Sequence, residues 1–296
     1  MIGYMITGNS DGILFLQAVF MFSTLLAIYS ICRNDRYWLM IVSASLFTIA
    51  FNYAEGNLTG EYCLPFLTYS MYLQLKYLTG EDREHNPWSG FFYGISFAFC
   101  LLTRLSNAIP IMAGIVVIVF FLLRSAKWSN LMRNAIAFIA GMLLLLCPFI
   151  IYFGIKGQLY ELYFGTIGFN LLYQKKMPAW IRGADAHTWL HFMVVYVAYF
   201  SVFLSAILAF FIHEYRLMGY CIMLAVMETW LFMGGAGYSQ YGIIAIPNIT
   251  LFLGLLLDVG RRHAKWFQRL TVVLLCAYLL FTGGRMSNRI IENMAQ

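Results

Sequence analysis

Long apolar runs separated by short polar gaps extend along the whole chain. A stretch of about 20 apolar residues crosses a bilayer as a helix, because a helix satisfies every backbone N–H and C=O within the segment. Ten such runs can be drawn, over 12–32, 37–54, 62–79, 88–104, 108–124, 134–155, 188–212, 217–233, 242–258 and 266–282. Most are rich in Leu, Ile, Phe and Val, as lipid demands. The third differs: it carries Gln74, Lys76 and the aromatic residues Tyr62, Phe66, Tyr69, Tyr72 and Tyr77. Such a composition fits a helix buried among others or lying shallow in the membrane. The expected fold is all-α, a single domain over 1–296 with about nine or ten transmembrane helices and no repeat of fixed period.

Composition sharpens this. Hydrophobic residues make up 61% of the 296 positions and charged residues 11%, against about 45–50% and about 25% in globular domains. Such a chain is not a nucleic-acid module, a secreted disulfide scaffold, a disordered tail or an ordinary cytosolic enzyme. Its net charge of +6 reads as membrane topology, with the bilayer as partner and no nucleic acid. Twelve basic residues fall in one set of gaps (Arg33, Arg36, Lys76, Arg83, Arg124, Lys127, Arg133, Arg216, Arg261, Arg262, Lys265 and Arg269). Seven fall in the alternate set (Arg104, Lys156, Lys175, Lys176, Arg182, Arg285 and Arg289). The richer set is expected in the cytoplasm, which makes the chain a multi-pass protein of the plasma or inner membrane with both termini outside. Met1 to Gly12 contain no Lys or Arg, so no signal-peptide n-region precedes the first run. The simplest expectation is a further segment upstream. Cys32, Cys63, Cys100, Cys147, Cys221 and Cys276 each sit in or at the end of a separate run. They read as small buried hydrophobes rather than metal ligands or disulfides.

Cytoplasmic charges are explained by topology; outer ones are not. The outer segment 156–187 suggests an amphipathic interfacial helix, followed by a basic turn at Lys175, Lys176 and Arg182. An aromatic belt with solvated lysines is the competing reading. The outer loop 54–61 carries Glu55 and Glu61 and the sequon Asn57-Leu58-Thr59, while Arg104 sits between two runs just before Pro110. Arg104 either snorkels to the interface or faces a cavity as an anion ligand. The segment 234–247 is Gly-rich around Tyr238, Gln240 and Tyr241, and Glu228 lies inside an apolar run, where a carboxylate is a functional candidate by default. His187 and His191 stand at i, i+4, without further support for a metal site. No Walker loop, GxGxxG, HExxH or Ser/His/Asp arrangement is present.

Four of these segments carry a resemblance. GNLTGEYCLPF (56–66) resembles the outer-loop pattern Gly-Asn-Leu-Thr-Glu-Glu-Tyr-x-x-Pro of bacterial GT-C membrane glycosyltransferases, the group that includes protein mannosyltransferases and aminoarabinose transferases. FCLLTRLSNA (99–108) looks like that group's helix ending in Leu-x-Arg-x-Asn. YELYFGTIGFNLLY (160–173) continues the agreement, and YSQY…P (238–247) is similar to a Tyr-x-His-Tyr…Pro element. Gly60 stands where the pattern has its first Glu, and Gln240 where it has His. GYMITGNSDGILFLQ (3–17) resembles the piece that follows the group's first outer loop, so the helix and Asp-bearing loop that precede it there are not represented.

The resemblance implies a GT-C-like fold and inverting transfer of a sugar from a polyprenyl-phosphate carrier to a saccharide or lipid acceptor. This would take place on the outer face, in cell-surface polysaccharide or glycolipid synthesis. Such chemistry needs a carboxylate to take the acceptor's proton, and cations for the departing phosphate in a site shielded from water. Arg104, Lys175, Lys176 and Arg182 are the expected phosphate ligands. Glu55, Asn57, Glu61, Tyr62, Asp185, Tyr238, Gln240 and Tyr241 are expected around the sugar and acceptor. Glu55, Glu61 or Asp185 could also hold a divalent metal. No catalytic base is assigned, since the group's Asp loop has no counterpart here. A flippase or transporter of lipid-linked saccharides, and an inactive protein that binds them, are the alternatives.

Overall fold

The computed structural model describes residues 11–51, 59–82, 84–169, 172, 200–234, 243–263 and 265–294. Among them there is no strand. The helices are α1 (Asp11–Cys32), α2 (Trp38–Phe51), α3 (Thr59–Thr79), α4 (Pro87–Thr103), α5 (Ile109–Arg124), α6 (Trp128–Ile155) and α7 (Leu159–Tyr163). They are followed by α8 (Phe200–Phe211), then α9 (Tyr215–Gly234), α10 (Ile246–His263) and α11 (Lys265–Met294). A 3₁₀ turn, Leu105–Ala108, leads into α5. A π turn, Phe164–Gly168, follows α7. Five helical stretches are long and apolar enough to cross a membrane: Asp11–Cys32, Leu105–Arg124, Trp128–Ile155, Ile243–His263 and Lys265–Gly284.

The burial pattern is that of a membrane protein. In α6 the buried residues are Asn130, Asn134 and Gly141, whereas Met132, Ile136, Ile139, Leu143, Leu144, Ile150 and Ile151 face outward. Polar and small residues inside with large apolar ones outside would be unstable in water; lipid accepts it. The third apolar run, with its amides and tyrosines, becomes the central helix. On α3, Cys63, Leu64, Leu67, Met71, Leu75 and Leu78 are all buried, and it packs against α1, α4, α5 and α9. Two apolar clusters result. One joins α3, α4, α5, α8 and α9, the other α1, α2 and α11. Helix α10 belongs to both, giving Leu251 and Leu255 to the first and Ile249, Leu253 and Leu257 to the second.

Close backbone approach fixes α4 against α6. Gly90 and Gly94 are spaced as in the small-xxx-small pattern that lets helices touch. A Cβ on Gly94 would lie 2.0 Å from the Phe138 carbonyl, and one on Gly141 2.0 Å from that of Phe91. At one end of this pair a polar staple closes the linker before α4. The His85 amide donates to Asn130 Oδ1 (2.9 Å), while Asn130 Nδ2 and Asn134 Nδ2 both donate to the His85 carbonyl (2.9 and 3.0 Å). His85 Nδ1 lies 2.7 Å from Asn134 Oδ1 and Nε2 3.3 Å from the Tyr93 hydroxyl. Asn86 then caps α4, its side chain accepting from the Trp88 amide with Pro87 in the first turn.

The same end collects the basic residues. Arg216 donates to the Gly80 carbonyl (3.3 Å) and lies over the rings of Tyr77 and Phe121, 4.8 and 5.3 Å from their centroids. Glu84 meets Lys127 and Arg133, and Asp258 meets Arg261 and Arg262. Some boundaries differ from those read in the sequence. Helix α6 begins at Trp128 rather than 134, because Asn130 and Asn134 spend their polarity on His85 and need no water. Helix α11 continues past 282 to Met294. Of the six cysteines, Cys32, Cys63, Cys100 and Cys221 are buried, Cys147 is half-buried and Cys276 is exposed on the outward face of α11.

Burial pushes the His85 imidazole below its ordinary range, against the opposing pull of the Asn134 bond. The unfolded chain therefore binds a proton that the folded one refuses, and stability falls as pH drops below about 6.5. Thermal unfolding of the detergent-solubilised protein between pH 8 and 5 should show this loss, and His85→Gln should flatten it.

Candidate functional site

Segments 59–66 and 99–107 meet, with residues 243–248, at the end of the molecule opposite the basic one. Helix α3 opens with Glu61 in its first turn, where a carboxylate is favoured by the helix dipole. Glu61 is nonetheless buried, at 3% exposure, and Gln17 of α1, itself buried, donates its Nε2–H to Glu61 Oε2. A carboxylate in this setting is stable only while hydrogen-bonded. The chain supplies the amide from a helix 44 positions away in sequence.

The next residues of α3 bind the end of α4. Thr103 Oγ1 lies 3.1 Å from Cys63 Sγ, and Asn107 Nδ2 donates to the same sulfur at 3.2 Å. Phe66 stacks on Phe99 (centroids 4.3 Å apart), and Phe20 of α1 meets Tyr62 edge-on at 5.3 Å. The segments 59–66 and 99–107 thus form one packed unit with α1. Arg104 sits at its edge. It is half-buried in extended backbone between α4 and the 3₁₀ turn, its N–H bonded to the Cys100 carbonyl at 2.7 Å.

The start of α10 completes the unit. A Cβ on Gly60 would fall 2.6 Å from Ile243 Cγ2. Ile243 occupies the space that a side chain at position 60 would need. Ile243 lies in the 3₁₀ residues just before α10, and on α10 itself Asn248 donates Nδ2–H to Glu228 Oε2 of α9 at 2.7 Å. Glu228 and Asn248 are 0% and 1% exposed. Glu228 Oε1 and Asn248 Oδ1 have no hydrogen-bond partner among the described residues. Two buried carboxylates, each taking one amide from a neighbouring helix, therefore flank the beginning of α10.

Of the site residues expected from sequence, the structure describes Glu61, Tyr62 and Arg104 and brings them to one end. Glu55, Asn57, Lys175, Lys176, Arg182, Asp185, Tyr238, Gln240 and Tyr241 lie outside the described residues, as do His187 and His191. Of the segment 156–187, residues 156–169 and 172 are described, with a short helix Leu159–Tyr163 followed by the π turn. Leu162, Thr166 and Ile167 are half-buried along one face, while Leu159, Tyr160 and Tyr163 are exposed. Among the described residues no group of three or more His, Cys, Asp and Glu is placed to hold a metal. Sequence reading missed Gln17 and Asn248. Both were legible only as isolated amides within apolar runs. No family model, no curated protein and no solved structure matches the chain.

Gly60→Ala should lower the unfolding temperature by overpacking against Ile243, at a cost of about 1–3 kcal/mol. In Gly60→Ala/Ile243→Ala the loss should be smaller than the sum of the single losses, a coupling that a thermal double-mutant cycle reads directly.

Proposed function

We propose that the chain is a multi-pass membrane protein of the GT-C glycosyltransferase type, which transfers a sugar from a polyprenyl-phosphate carrier at the face carrying Glu61 and Arg104. The observation that carries this reading is the meeting of segments 59–66, 99–107 and the start of α10 around one buried carboxylate. These segments lie far apart in sequence, and the first two belong to stretches that resemble the GT-C motifs. The excess of Lys and Arg at the opposite end assigns that end to the cytoplasm and the Glu61 end to the outside.

In the reaction the acceptor hydroxyl oxygen bonds to the anomeric carbon, the carbon–oxygen bond to phosphate breaks, and polyprenyl phosphate leaves. Arg104 is assigned to the leaving phosphate, whose charge grows as the bond breaks. Glu61, oriented by Gln17, is assigned to hydroxyls of the sugar or acceptor. The base that takes the acceptor's proton is not assigned.

A second reading rests on Glu228. A fully buried carboxylate paired with one amide within apolar helices suits a substrate or ion path, as a carrier of lipid-linked saccharides requires.

Membranes containing the chain, supplied with radiolabelled polyprenyl-phosphate sugars, separate the two. A glycosyltransferase transfers label to an acceptor, and Arg104→Gln lowers the rate by about a hundredfold or more. Glu61→Gln should also depress transfer, while a substitution on the outward face of α6, Ile150→Leu, should not. Absence of transfer together with movement of unchanged lipid-linked sugar across proteoliposomes would replace this reading with the carrier.

A further inference from the structure

At the basic end a cleft of about 480 Å³ opens between the end of α1, the end of α3 and the middle of α10. Its walls include the buried side chains Leu75, Leu251 and Leu255 together with Thr250. Gly254 widens it, since nothing lies within 4 Å of where its Cβ would stand. Its rim is cationic: Arg33, Lys76 and Arg261 all line it and all are exposed.

Topology alone accounts for positive charge at this end, but not for a cleft in which three cations stand over buried leucines. Two of the three are uncommitted. Among the described residues neither Arg33 nor Lys76 forms an ion pair. Arg261 is held by Asp258 at 2.6 Å. One carboxylate, Asp35, also lines the cleft, where its Oδ1 accepts the Tyr37 amide at 2.7 Å and its charge acts on Arg261. With Arg261 paired to Asp258, the rim's free charge is Arg33 and Lys76 against Asp35.

We propose that this cleft binds the phosphate headgroup of an anionic phospholipid, with Arg33 and Lys76 on the phosphate and an acyl chain along Leu75, Leu251 and Leu255. The leucines decide between the sources of phosphate, since a free inorganic anion has no use for them. Anionic lipid is also what a cytoplasmic leaflet presents to basic residues at a helix end. The site lies at the opposite end from Glu61 and Arg104. It depends on the membrane setting and not on sugar transfer, so loss of the enzyme reading would leave it standing.

The test uses the full chain in neutral detergent, with thermal unfolding and native mass spectrometry read against added phosphatidylglycerol, phosphatidylcholine or inorganic phosphate. Phosphatidylglycerol should raise the unfolding temperature and stay bound where phosphatidylcholine does not. Arg33→Gln/Lys76→Gln should weaken its binding by about twenty-fivefold, from about fivefold for each cation at a membrane surface. Lys265→Gln/Arg269→Gln removes the same charge from α11 and should change binding by less than about threefold. If the first pair of substitutions prevents folding, Gly254→Leu fills the cleft without touching charge and should likewise displace the lipid. The proposal is overturned if both lipids bind equally, if the α11 pair weakens binding as much, or if inorganic phosphate alone protects as well.

Discussion

Helices in lipid gain little by burying apolar surface against one another, because the surroundings are already apolar. What selects their neighbours is the pairing of the few polar side chains and the places where two backbones can touch. This chain follows that constraint throughout. Gln17–Glu61 ties α1 to α3, Asn248–Glu228 ties α10 to α9, and Gln74 donates from α3 to the Ile111 carbonyl at 3.0 Å. Ser45 meets Thr250 at 3.0 Å and Thr48 meets Tyr278 at 2.7 Å, joining α2 to α10 and α11. Where no such pair is available, as between α4 and α6, Gly94 and Gly141 bring the backbones together.

The two ends follow from this internal bookkeeping. One gathers Arg33, Lys76, Lys127, Arg216 and Arg261 around the short turns. The other gathers Glu61, Arg104 and the residues leading into α10, with Glu61 and Glu228 buried within helices. A buried acid on a rigid helix is better positioned than one on a loop, and it persists only if an amide accompanies it. Gln17 therefore belongs to the same unit as Glu61, although it adds no charge.

How far the sequence spoke for the structure differs between elements. The apolar runs appear as helices wherever residues are described, since length and hydropathy alone force that outcome. The central place of α3 was half-visible in Gln74 and its tyrosines, which lipid would not tolerate on a helix surface. The start of α6 was hidden because Ser129, Asn130 and Arg133 look like loop residues until His85 is seen to occupy two of the neighbouring amides. The site was less legible. Glu61 and Arg104 stood out as polar residues at outer helix ends, but the partners of Glu61 and Glu228 depend on contacts between helices distant in sequence. No local pattern encodes such contacts. The reason for glycine at 60 lies in Ile243, packed where a side chain would stand.

The central claim is that this helical body sits in a bilayer with the Glu61 end outside and the basic end in the cytosol. The most direct test is sided labelling in intact cells with a membrane-impermeant maleimide, in a background with its native cysteines replaced by alanine. A cysteine at Gly157, after α6, should react from outside. One at Ala126, between α5 and α6, should react only after the cells are permeabilised. Labelling of Ala126→Cys from outside with Gly157→Cys protected, or equal labelling of both, would contradict the account.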